Sequence, residues 1–219
     1  EKEMYSFKDR GERDVTLRPE GTAPVVRAYL ENNLNSGPQP VKLFYSGPMF
    51  RYDRPQAGRY RQFHQMGVEV FGSHNPCLDA EVMAMAMEFF LRLGLKHMDL
   101  HINSVGCPEC RPRLGEKLRQ YFKNRLESLC PNCSERYYKN PLRIIDCKNT
   151  KCQQVGVQAP ATLECLCSDC EQHFIEVCNY LKALDIPYVI NNKLVRGLDY
   201  YTHTAFEIMD PDIGAQSSI

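Results

Sequence analysis

The chain has 219 residues, of which 43% are hydrophobic and 25% are charged, a composition typical of an ordinary globular protein. Its 27 basic and 27 acidic side chains balance, so no overall positive field indicates a nucleic-acid partner. The sequence contains no uncharged apolar run of about eighteen residues and no signal-peptide pattern, which argues against a membrane-spanning helix and against export. We therefore expect a cytoplasmic protein without a membrane partner.

Residues 4–18 predict two short strands joined by a turn. Residues 17–22 then read Leu-Arg-Pro-Glu-Gly-Thr, and the proline and glycine hold this segment out of regular structure. Thr22 is placed to cap a following helix. A carboxylate at Glu20 beside the Thr22 hydroxyl suits the ammonium group of a ligand, although an exposed loop charge and a plain helix cap explain the same two residues.

Residues 50–72 predict a hairpin, because a turn containing proline and glycine separates two extended runs. Side chains alternate between the two faces of a strand. One face of the second run carries Arg59, Arg61, Phe63, Gln65, Gly67 and Glu69, and Arg51 of the first run crosses the same surface. This combination suits a small charged ligand, with a solvated strand face as the alternative. The other face ends in an apolar stripe, Met66, Val68 and Val70, which we expect in a core.

Residues 79–93 predict an amphipathic helix that ends before Gly94, and its methionine-rich side is expected in the core. Residues 98–102 alternate as a strand. This strand contains His101, which we interpret as a structural residue. No chemistry is predicted for this part of the chain.

The sequence has eleven cysteines and no export signal, so metal binding is favoured over disulfides. Cysteines separated by two residues can reach one tetrahedral zinc ion. Two four-cysteine sites would use Cys107, Cys110, Cys130, Cys133, Cys147, Cys152, Cys167 and Cys170. The spacing does not show which pairs share an ion, and reduced buried thiols without metal are the alternative. Cys77, Cys165 and Cys178 are interpreted as small apolar residues.

The same cysteine-rich segment predicts a basic amphipathic helix over residues 113–129 and a second helix over 168–184. The basic helix carries Lys117, Arg119, Lys123 and Arg125. These side chains could meet phosphate, and a solvated helix face explains them equally well.

Residues 187–190 predict a return to strand, and residues 194–207 predict a strand with a glycine hinge. The second run contains Arg196 and the paired Tyr200 and Tyr201. An arginine followed by a glycine kink and two tyrosines is a weak signal by itself.

Four of these segments resemble the histidyl-tRNA synthetases, a family of class II aminoacyl-tRNA synthetases. Residues 50–72 resemble their motif 2, the words Arg-Pro-Glu-Gly-Thr their amino-group site, Asn140–Asp146 their insertion domain, and Arg-Gly-Leu-Asp-Tyr-Tyr (196–201) their histidine-specific motif. Together the matches extend over the whole chain. They imply an α+β fold in which an antiparallel sheet is flanked by helices. The first part of this core would occupy residues 1–105, a helical cysteine-rich insertion 106–186, and the return to the core 187–219.

The resemblance also implies roles for individual residues. Histidine would be bound by Glu20, Thr22, Gln65, Glu69, Tyr200 and Tyr201. ATP would be bound by Arg51, Asp53, Arg59, Phe63 and Arg196. Arg51, Arg196 and Gln65 are the residues expected to act in catalysis. Asp53 stands where a glutamate is common in the family, which weakens its assignment.

The implied partners are histidine, ATP with Mg²⁺, and tRNA(His), and the implied assembly is a homodimer of the whole protein. Motif 3, the anticodon-binding domain and most of motif 1 are not recognised, so we expect a fragment with little activity of its own. One alternative is the histidine-responsive regulatory paralogue of ATP phosphoribosyltransferase, whose kind lacks the insertion. Another is a zinc-stabilised nucleic-acid-binding module, which the cysteines favour and the neutral charge does not.

Overall fold

A computed structural model describes residues 3–54, 58–194 and 200–212. The described residues form two compact units, one ending at His74 and the other running from Asn75 to Asp212. Helices and strands contribute to both, which confirms the α+β prediction. Every helix in these described segments is too short or too polar to cross a bilayer.

The N-terminal unit contains a small hairpin, one helix and a long hairpin. Its elements are β1 (Ser6–Lys8), β2 (Asp14–Thr16), α1 (Thr22–Glu31), β3 (Val41–Phe50) and β4 (Gln62–Phe71). Both hairpins are antiparallel, as predicted from the alternating patterns. The loop between β3 and β4 is much longer than a two-residue turn, so register is set by the strands themselves.

Helix α1 starts differently from the prediction. Thr22 is its first helical residue, and the N-cap is Gly21. The carboxylate of Glu20 accepts hydrogen bonds from the backbone N–H of Ala23 at 3.1 and 3.2 Å. The predicted cap at Thr22 is therefore wrong, because the Glu20 carboxylate, and not the Thr22 hydroxyl, accepts a hydrogen bond from a backbone N–H at the helix N-terminus.

The two faces of the β3–β4 hairpin differ in exposure. Tyr29 of α1 stacks on Phe71 with ring centroids 4.4 Å apart, so the helix packs on the face that Phe71 shares with Phe63 and Glu69. On the opposite face Phe44 is 78% and Met66 49% exposed. The prediction that this second face enters a core is wrong for Met66, because the helix covers the other side.

The second unit has a three-stranded sheet with two long helices. Its elements outside the cysteine-rich segment are α2 (Pro76–Arg92), β5 (Asp99–Ser104), α7 (Ser168–Ala183), β6 (Val189–Ile190) and β7 (Thr204–Met209). The sheet order is β6–β5–β7, with β5 parallel to β6 and antiparallel to β7. Met83, Ile102 and Val177 are fully buried in the core between these elements. The methionine-rich side of α2 is thus core, as predicted.

Three boundaries in this unit have local causes. Helix α2 begins before the predicted residue 79, because Asn75 accepts from the N–H of Cys77 and Pro76 fits the first helical turn. It ends at Arg92, before Gly94 as predicted, and Gly94 has φ of +93°. The predicted strand over 194–207 begins only at Thr204, because His203 has φ of +56°, which breaks the extended run. Residues 195–199 of that run lie outside the described residues.

The cysteine-rich segment forms short helices between β5 and α7. They are α3 (Cys110–Phe122), α4 (Pro131–Lys139), α5 (Leu142–Ile145) and α6 (Thr150–Gly156), with 3₁₀ turns at Lys123–Ser128 and Thr162–Cys165. A separate apolar core joins them around Leu114, Leu118 and Phe122. The predicted α-helix over 113–129 ends at Phe122 and is followed by the 3₁₀ turn, where the Arg125 side chain donates to the Tyr121 carbonyl. The limits of the insertion remain a prediction.

Candidate functional site

The β3–β4 register places the predicted ligand-facing residues side by side. Phe63 pairs with Met49, Gln65 with Gly47, and Glu69 with Leu43. Because side chains alternate, Phe63, Gln65 and Glu69 project from one face of the hairpin. All of them are half-buried. The structure therefore brings the motif 2 candidates together on one covered surface.

The segment around Glu20 is fastened to the same hairpin. The N–H of Phe50 donates to the carbonyl of Arg18 at 2.9 Å. The Arg51 side chain donates from Nε to the Pro19 carbonyl at 2.7 Å. These contacts hold the two residues that precede Glu20 against the hairpin, and one of them is made by the Arg51 guanidinium itself. The position of Glu20 at the N-terminus of α1 favours its negative charge.

Tyr45 is a residue of this surface that the sequence does not single out. A Cβ at Gly67 would lie 2.3 Å from the Cζ atom of Tyr45, and a Cβ at Gly21 would lie 2.2 Å from its Cε2 atom. The Tyr45 ring therefore lies between the two glycines and joins the Glu20 segment to β4. The space that the missing side chain of Gly67 leaves on this face is filled by the Tyr45 ring. The pair of glycines facing one tyrosine is a spatial signal, which the linear sequence does not show.

We expect Gly67→Ala to lower the free energy of unfolding by about 1–3 kcal/mol, because the Tyr45 ring has to move out of its packed position. Thermal or urea unfolding of the chain measures the change. Gly37→Ala is the matched control in the same unit, since its Cβ would meet only the Leu34 carbonyl, at 3.8 Å. Equal stability of the two variants would show that Tyr45 moves without cost.

Gln65 carries a buried polar atom that lacks a hydrogen-bond partner within the described part of the chain. Its Oε1 is buried, and no residue that the structure describes donates a hydrogen bond to it. A buried acceptor left without a donor costs about 1–3 kcal/mol. Such a cost is tolerated where a ligand supplies the missing donor, and an ammonium group offers N–H donors. The oxygen projects from the same face as Phe63 and Glu69.

The arginines and the aspartate predicted to bind ATP contact neighbouring residues. The guanidinium of Arg51 lies 5.0 Å from the centroid of the Phe63 ring. Arg59 and Asp53 form an ion pair of 3.2 Å, with both side chains partly exposed. An exposed pair of this kind contributes little to stability, so a charged ligand can displace it at low cost.

The remaining histidine-site candidates belong to the second unit. The rings of Tyr200 and Tyr201 stack at 4.9 Å with an interplanar angle of 19°. Tyr200 is 69% exposed and Tyr201 40% exposed. Arg196 lies outside the described residues, so its assignment stays a prediction.

The eight cysteines predicted as ligands form two clusters. The neck cluster consists of Cys107, Cys110, Cys167 and Cys170, and the inner cluster of Cys130, Cys133, Cys147 and Cys152. Within each cluster the sulfurs all lie within 4.8 Å of one another. The chain topology thus gives the pairing that the spacing left open: the first Cys-x-x-Cys pair joins the last, and the middle pair joins Cys147 and Cys152.

The sulfur separations match those around a tetrahedral ion. Cys107 Sγ lies 3.6 Å from Cys110 Sγ and 3.8 Å from Cys167 Sγ, and Cys130 Sγ lies 3.9 Å from Cys147 Sγ. Zinc–sulfur bonds of about 2.3 Å place tetrahedral sulfurs about 3.8 Å apart. All eleven cysteines of the sequence are unbridged thiols. Cys165 and Cys178 are buried among apolar side chains, as predicted, outside both clusters.

Backbone groups and burial perturb these thiols in opposite directions. The N–H of Cys110 lowers the pKa of Cys107 to about 7, and the N–H of Cys133 lowers the pKa of Cys130 to about 7. Burial raises the pKa of the other shifted thiols, namely Cys110, Cys133, Cys152 and Cys170. A buried thiolate is stable only beside a compensating cation.

Known proteins match both the sequence and the fold. The family model described as histidyl-tRNA synthetase matches residues 1–109. The histidine–tRNA ligases of Pelotomaculum thermopropionicum and Desulforamulus reducens are each 67% identical to this chain over all 219 of its residues. The chain belongs to the histidyl-tRNA synthetase family. It spans about half the length of these curated relatives, 52% of each.

Two solved structures extend the comparison. The apo histidyl-tRNA synthetase of S. aureus has 45% identity and a TM-score of 0.74, covering 94% of this chain and 48% of its own. An ATP phosphoribosyltransferase regulatory subunit/histidyl-tRNA synthetase from Bacillus halodurans has 19% identity and a TM-score of 0.65, covering 98% of this chain and 59% of its own. The second likeness is one of fold alone. The 67% identity to ligases favours the synthetase branch of the family over the regulatory paralogue.

Proposed function

We propose that the β3–β4 surface is part of the active site of a histidine–tRNA ligase, which activates histidine with ATP and transfers it to tRNA(His). The observation that carries the proposal is the buried Oε1 of Gln65, which has no hydrogen-bond partner among the described residues and lies on the face that also presents Phe63 and Glu69. Family membership supports the same reading. The charges on this face suit a ligand with an ammonium group at one end and phosphates at the other.

In the proposed first step a carboxylate oxygen of histidine attacks the α-phosphorus of ATP. The new P–O bond forms as the bond to pyrophosphate breaks, leaving histidyl-adenylate. Such a reaction depends on positioning and on neutralising phosphate charge. Arg51 is proposed to hold the α-phosphate, because its guanidinium is already oriented by the Pro19 carbonyl and the Phe63 ring. A planar fork matches phosphate oxygens better than an ammonium group does.

The rest of the nucleotide site is proposed from residues nearby in the hairpin. Phe63 would stack on adenine through the ring face away from Arg51, and Arg59 would release Asp53 to meet the distal phosphates. Mg²⁺ enters as the counter-ion of those phosphates. Arg196 is proposed to approach the α-phosphate on the strength of the family resemblance alone.

Recognition of histidine is proposed to divide between its two polar ends. Glu20, Thr22 and Gln65 would hold the ammonium group, with the Gln65 oxygen gaining the donor that it lacks. Glu69, Tyr200 and Tyr201 would contact the imidazole. A site built to bind a ring N–H discriminates strongly against ligands without one, because its polar groups would then lose their partners.

Histidine-dependent exchange of pyrophosphate into ATP tests the proposal, using the whole protein that carries this sequence. A ligase catalyses the exchange with histidine and not with other amino acids. Binding of histidine without exchange would support the regulatory paralogue instead. Binding of nucleic acid with neither histidine binding nor exchange would support a zinc-stabilised nucleic-acid-binding module.

We expect Glu69→Gln to weaken histidine binding at least about tenfold, equal to about 1.4 kcal/mol, because an amide replaces the anionic acceptor of the ring N–H. Calorimetric titration with histidine measures the change. Glu81→Gln on helix α2 is the control, a carboxylate outside the site. An unchanged dissociation constant for the Glu69 variant would remove this residue from the histidine site.

The finer features of the family are also proposed here. The whole protein is expected to be a cytoplasmic homodimer that binds tRNA(His). Of the basic residues in the cysteine-rich segment, Lys117 donates to the Glu164 carbonyl and Arg125 lies over the Tyr121 ring at 4.2 Å. Arg119 and Lys123 are therefore the better candidates for contact with tRNA phosphates.

We infer further that the cysteine clusters bind structural Zn²⁺. Four cysteine sulfurs surround each centre at the separations of a tetrahedral ion. A site closed by four protein ligands has no open position for a substrate, so zinc would support the fold and leave the chemistry to the hairpin. Metal analysis of the purified chain measures the content, with about two ions per chain expected from two such sites.

A further inference from the structure

The two cysteine clusters connect different parts of the second unit. Cys107 follows the end of β5, and Cys167 is the N-cap residue of α7. The neck cluster therefore lies where the cysteine-rich segment leaves the sheet and where it returns. The inner cluster contributes Cys133, Cys147 and Cys152 to the separate apolar core of that segment. One cluster joins the segment to the sheet, and the other holds the segment itself together.

The strand that leads into the neck cluster is paired with the residues that follow Tyr201. The N–H of Val105 donates to the His203 carbonyl at 2.8 Å, and the N–H of His203 donates to the Gly106 carbonyl at 2.9 Å. These bonds extend the β5–β7 pairing beyond Ser104 to the residue before Cys107. His203 is thus joined by two hydrogen bonds to Val105 and Gly106, the two residues that precede Cys107.

The side chain of His203 reaches the neck cluster as well. Its Nδ1 lies 3.8 Å from the sulfur of Cys170. Its ring centroid is 4.6 Å from that of His173, whose Nε2 is 2.8 Å from a carboxylate oxygen of Asp79. A hydrogen bond from an N–H group to a metal-bound thiolate stabilises the thiolate and also fixes the orientation of the donor side chain. His203 adopts φ of +56°, an uncommon backbone for a residue other than glycine, so its surroundings determine its conformation.

Gly106 shows how closely this junction is packed. It has φ of +68°, and a Cβ on it would lie 2.6 Å from the Cβ of Cys110. The N–H of Cys167 in turn donates to the sulfur of Cys110 at 3.1 Å. Both ends of the cysteine-rich segment therefore meet at Cys110 of the neck cluster, and Cys170 of the same cluster lies beside His203.

We propose that a zinc ion in the neck cluster positions the segment carrying Tyr200 and Tyr201, whereas the ion of the inner cluster does not. The part concerning histidine rests on the proposed function, which gives these tyrosines their role. The ion touches no substrate. It fixes Cys107 and Cys170, and these hold His203 through its backbone pairing and its imidazole, two residues after Tyr201.

The test compares two matched double variants of the whole protein: Cys107→Ser with Cys167→Ser in the neck cluster, and Cys130→Ser with Cys147→Ser in the inner cluster. Each should lower the zinc content from about two ions per chain to about one. In the neck variant alone we expect amide hydrogen exchange over residues 201–205 to become at least about tenfold faster. We also expect the KM for histidine in pyrophosphate exchange to rise at least about tenfold, because misplaced binding groups are costly.

Several outcomes would overturn the proposal. Zinc content that stays the same in the neck variant would show that the cluster binds no ion. Loss of the ion with unchanged amide exchange, or equal effects of both double variants, would show that the neck ion does not position this segment. If the wild-type protein gives no histidine-dependent exchange, the proposed function fails, while zinc content and amide exchange still decide this inference.

Should the neck variant fail to fold, His203 provides a second test with all eight cysteines intact. His203→Gly removes the imidazole without backbone strain and is expected to keep about two zinc ions while accelerating amide exchange at 201–205. His203→Asn tolerates the same backbone and offers an amide N–H in place of the imidazole, so it should restore protection. Equal exchange in the glycine variant and the wild type would contradict the link.

Discussion

Arg51→Ala is expected to lower the rate of histidine-dependent pyrophosphate exchange by at least about a hundredfold, the usual effect of removing one oriented donor from a developing charge. The guanidinium is held by the Pro19 carbonyl and lies against the Phe63 ring, so little reorganisation is needed before it meets phosphate. The same change removes a contact beside Glu20. We therefore expect the KM for histidine to rise along with the loss of kcat.

Arg61 provides the matched control for that experiment. It is an arginine of the same hairpin, but its guanidinium lies 4.7 Å over the ring of Tyr52, and the residue is exposed. Arg61→Ala should change the exchange rate no more than about twofold, because Arg61 is not among the proposed ATP contacts and exposed substitutions usually have small effects. Equal losses in the two variants would mean that the charge of the hairpin matters and the position of Arg51 does not. Arg51→Lys keeps the positive charge but loses the planar guanidinium group, so its exchange rate should lie between those of Arg51→Ala and the wild type.

The hairpin was predictable because its information is local. Side chains alternate between two faces along residues 62–71, and a turn containing proline and glycine precedes them. These two patterns predict the strands, their faces and the loop, and the β3–β4 register agrees with that prediction. Gln65 and Glu69 were placed on one face by the period of a strand alone. Whether that face is covered was not predictable, because helix α1 supplies the cover from residues that are distant in sequence. The prediction that Met66 lies in a core is wrong for this reason: helix α1 covers the opposite face of the hairpin.

Tyr45 shows what local patterns miss. An aromatic residue inside a strand is ordinary, and nothing in its neighbours marks it. Its role comes from two glycines, Gly21 and Gly67, that approach its ring from different parts of the chain. Contacts of this kind depend on tertiary packing, so they become visible only in the folded structure.

The cysteines fall between these cases. Spacing predicts three Cys-x-x-Cys pairs as ligands, because two intervening residues let both thiolates reach one ion, and Cys147 with Cys152 completes the predicted set of eight. The pairing required the fold: α7 brings Cys167 and Cys170 back to β5, while α4 and α6 bring Cys133 and Cys152 together. The order of helices and strands along the chain does not decide which cysteine pairs share an ion, since each possible pairing closes loops of acceptable length.

Removing zinc is expected to lower the midpoint of thermal unfolding of the chain by at least about 10 °C, because structural zinc contributes several kcal/mol and about 1 kcal/mol shifts a domain of this size by 2–4 °C. Dialysis against a strong chelator, followed by calorimetry or circular dichroism, measures the shift. Zn²⁺ added back should restore the midpoint, and Mg²⁺ should not, because thiolates are soft ligands.

Two cysteine variants separate metal loss from loss of a thiol. Cys133 is fully buried in the inner cluster and in the core of the cysteine-rich segment, so Cys133→Ser should reproduce most of the chelator effect and make the protein insensitive to added Zn²⁺ at that cluster. Cys77 belongs to neither cluster and is only half-buried, so Cys77→Ser should keep both ions and the wild-type midpoint. Chelation that leaves the wild-type midpoint unchanged would mean that the apolar core around Leu114 and Phe122 holds the segment unaided. Its small size, with three cluster cysteines as members, argues against that result.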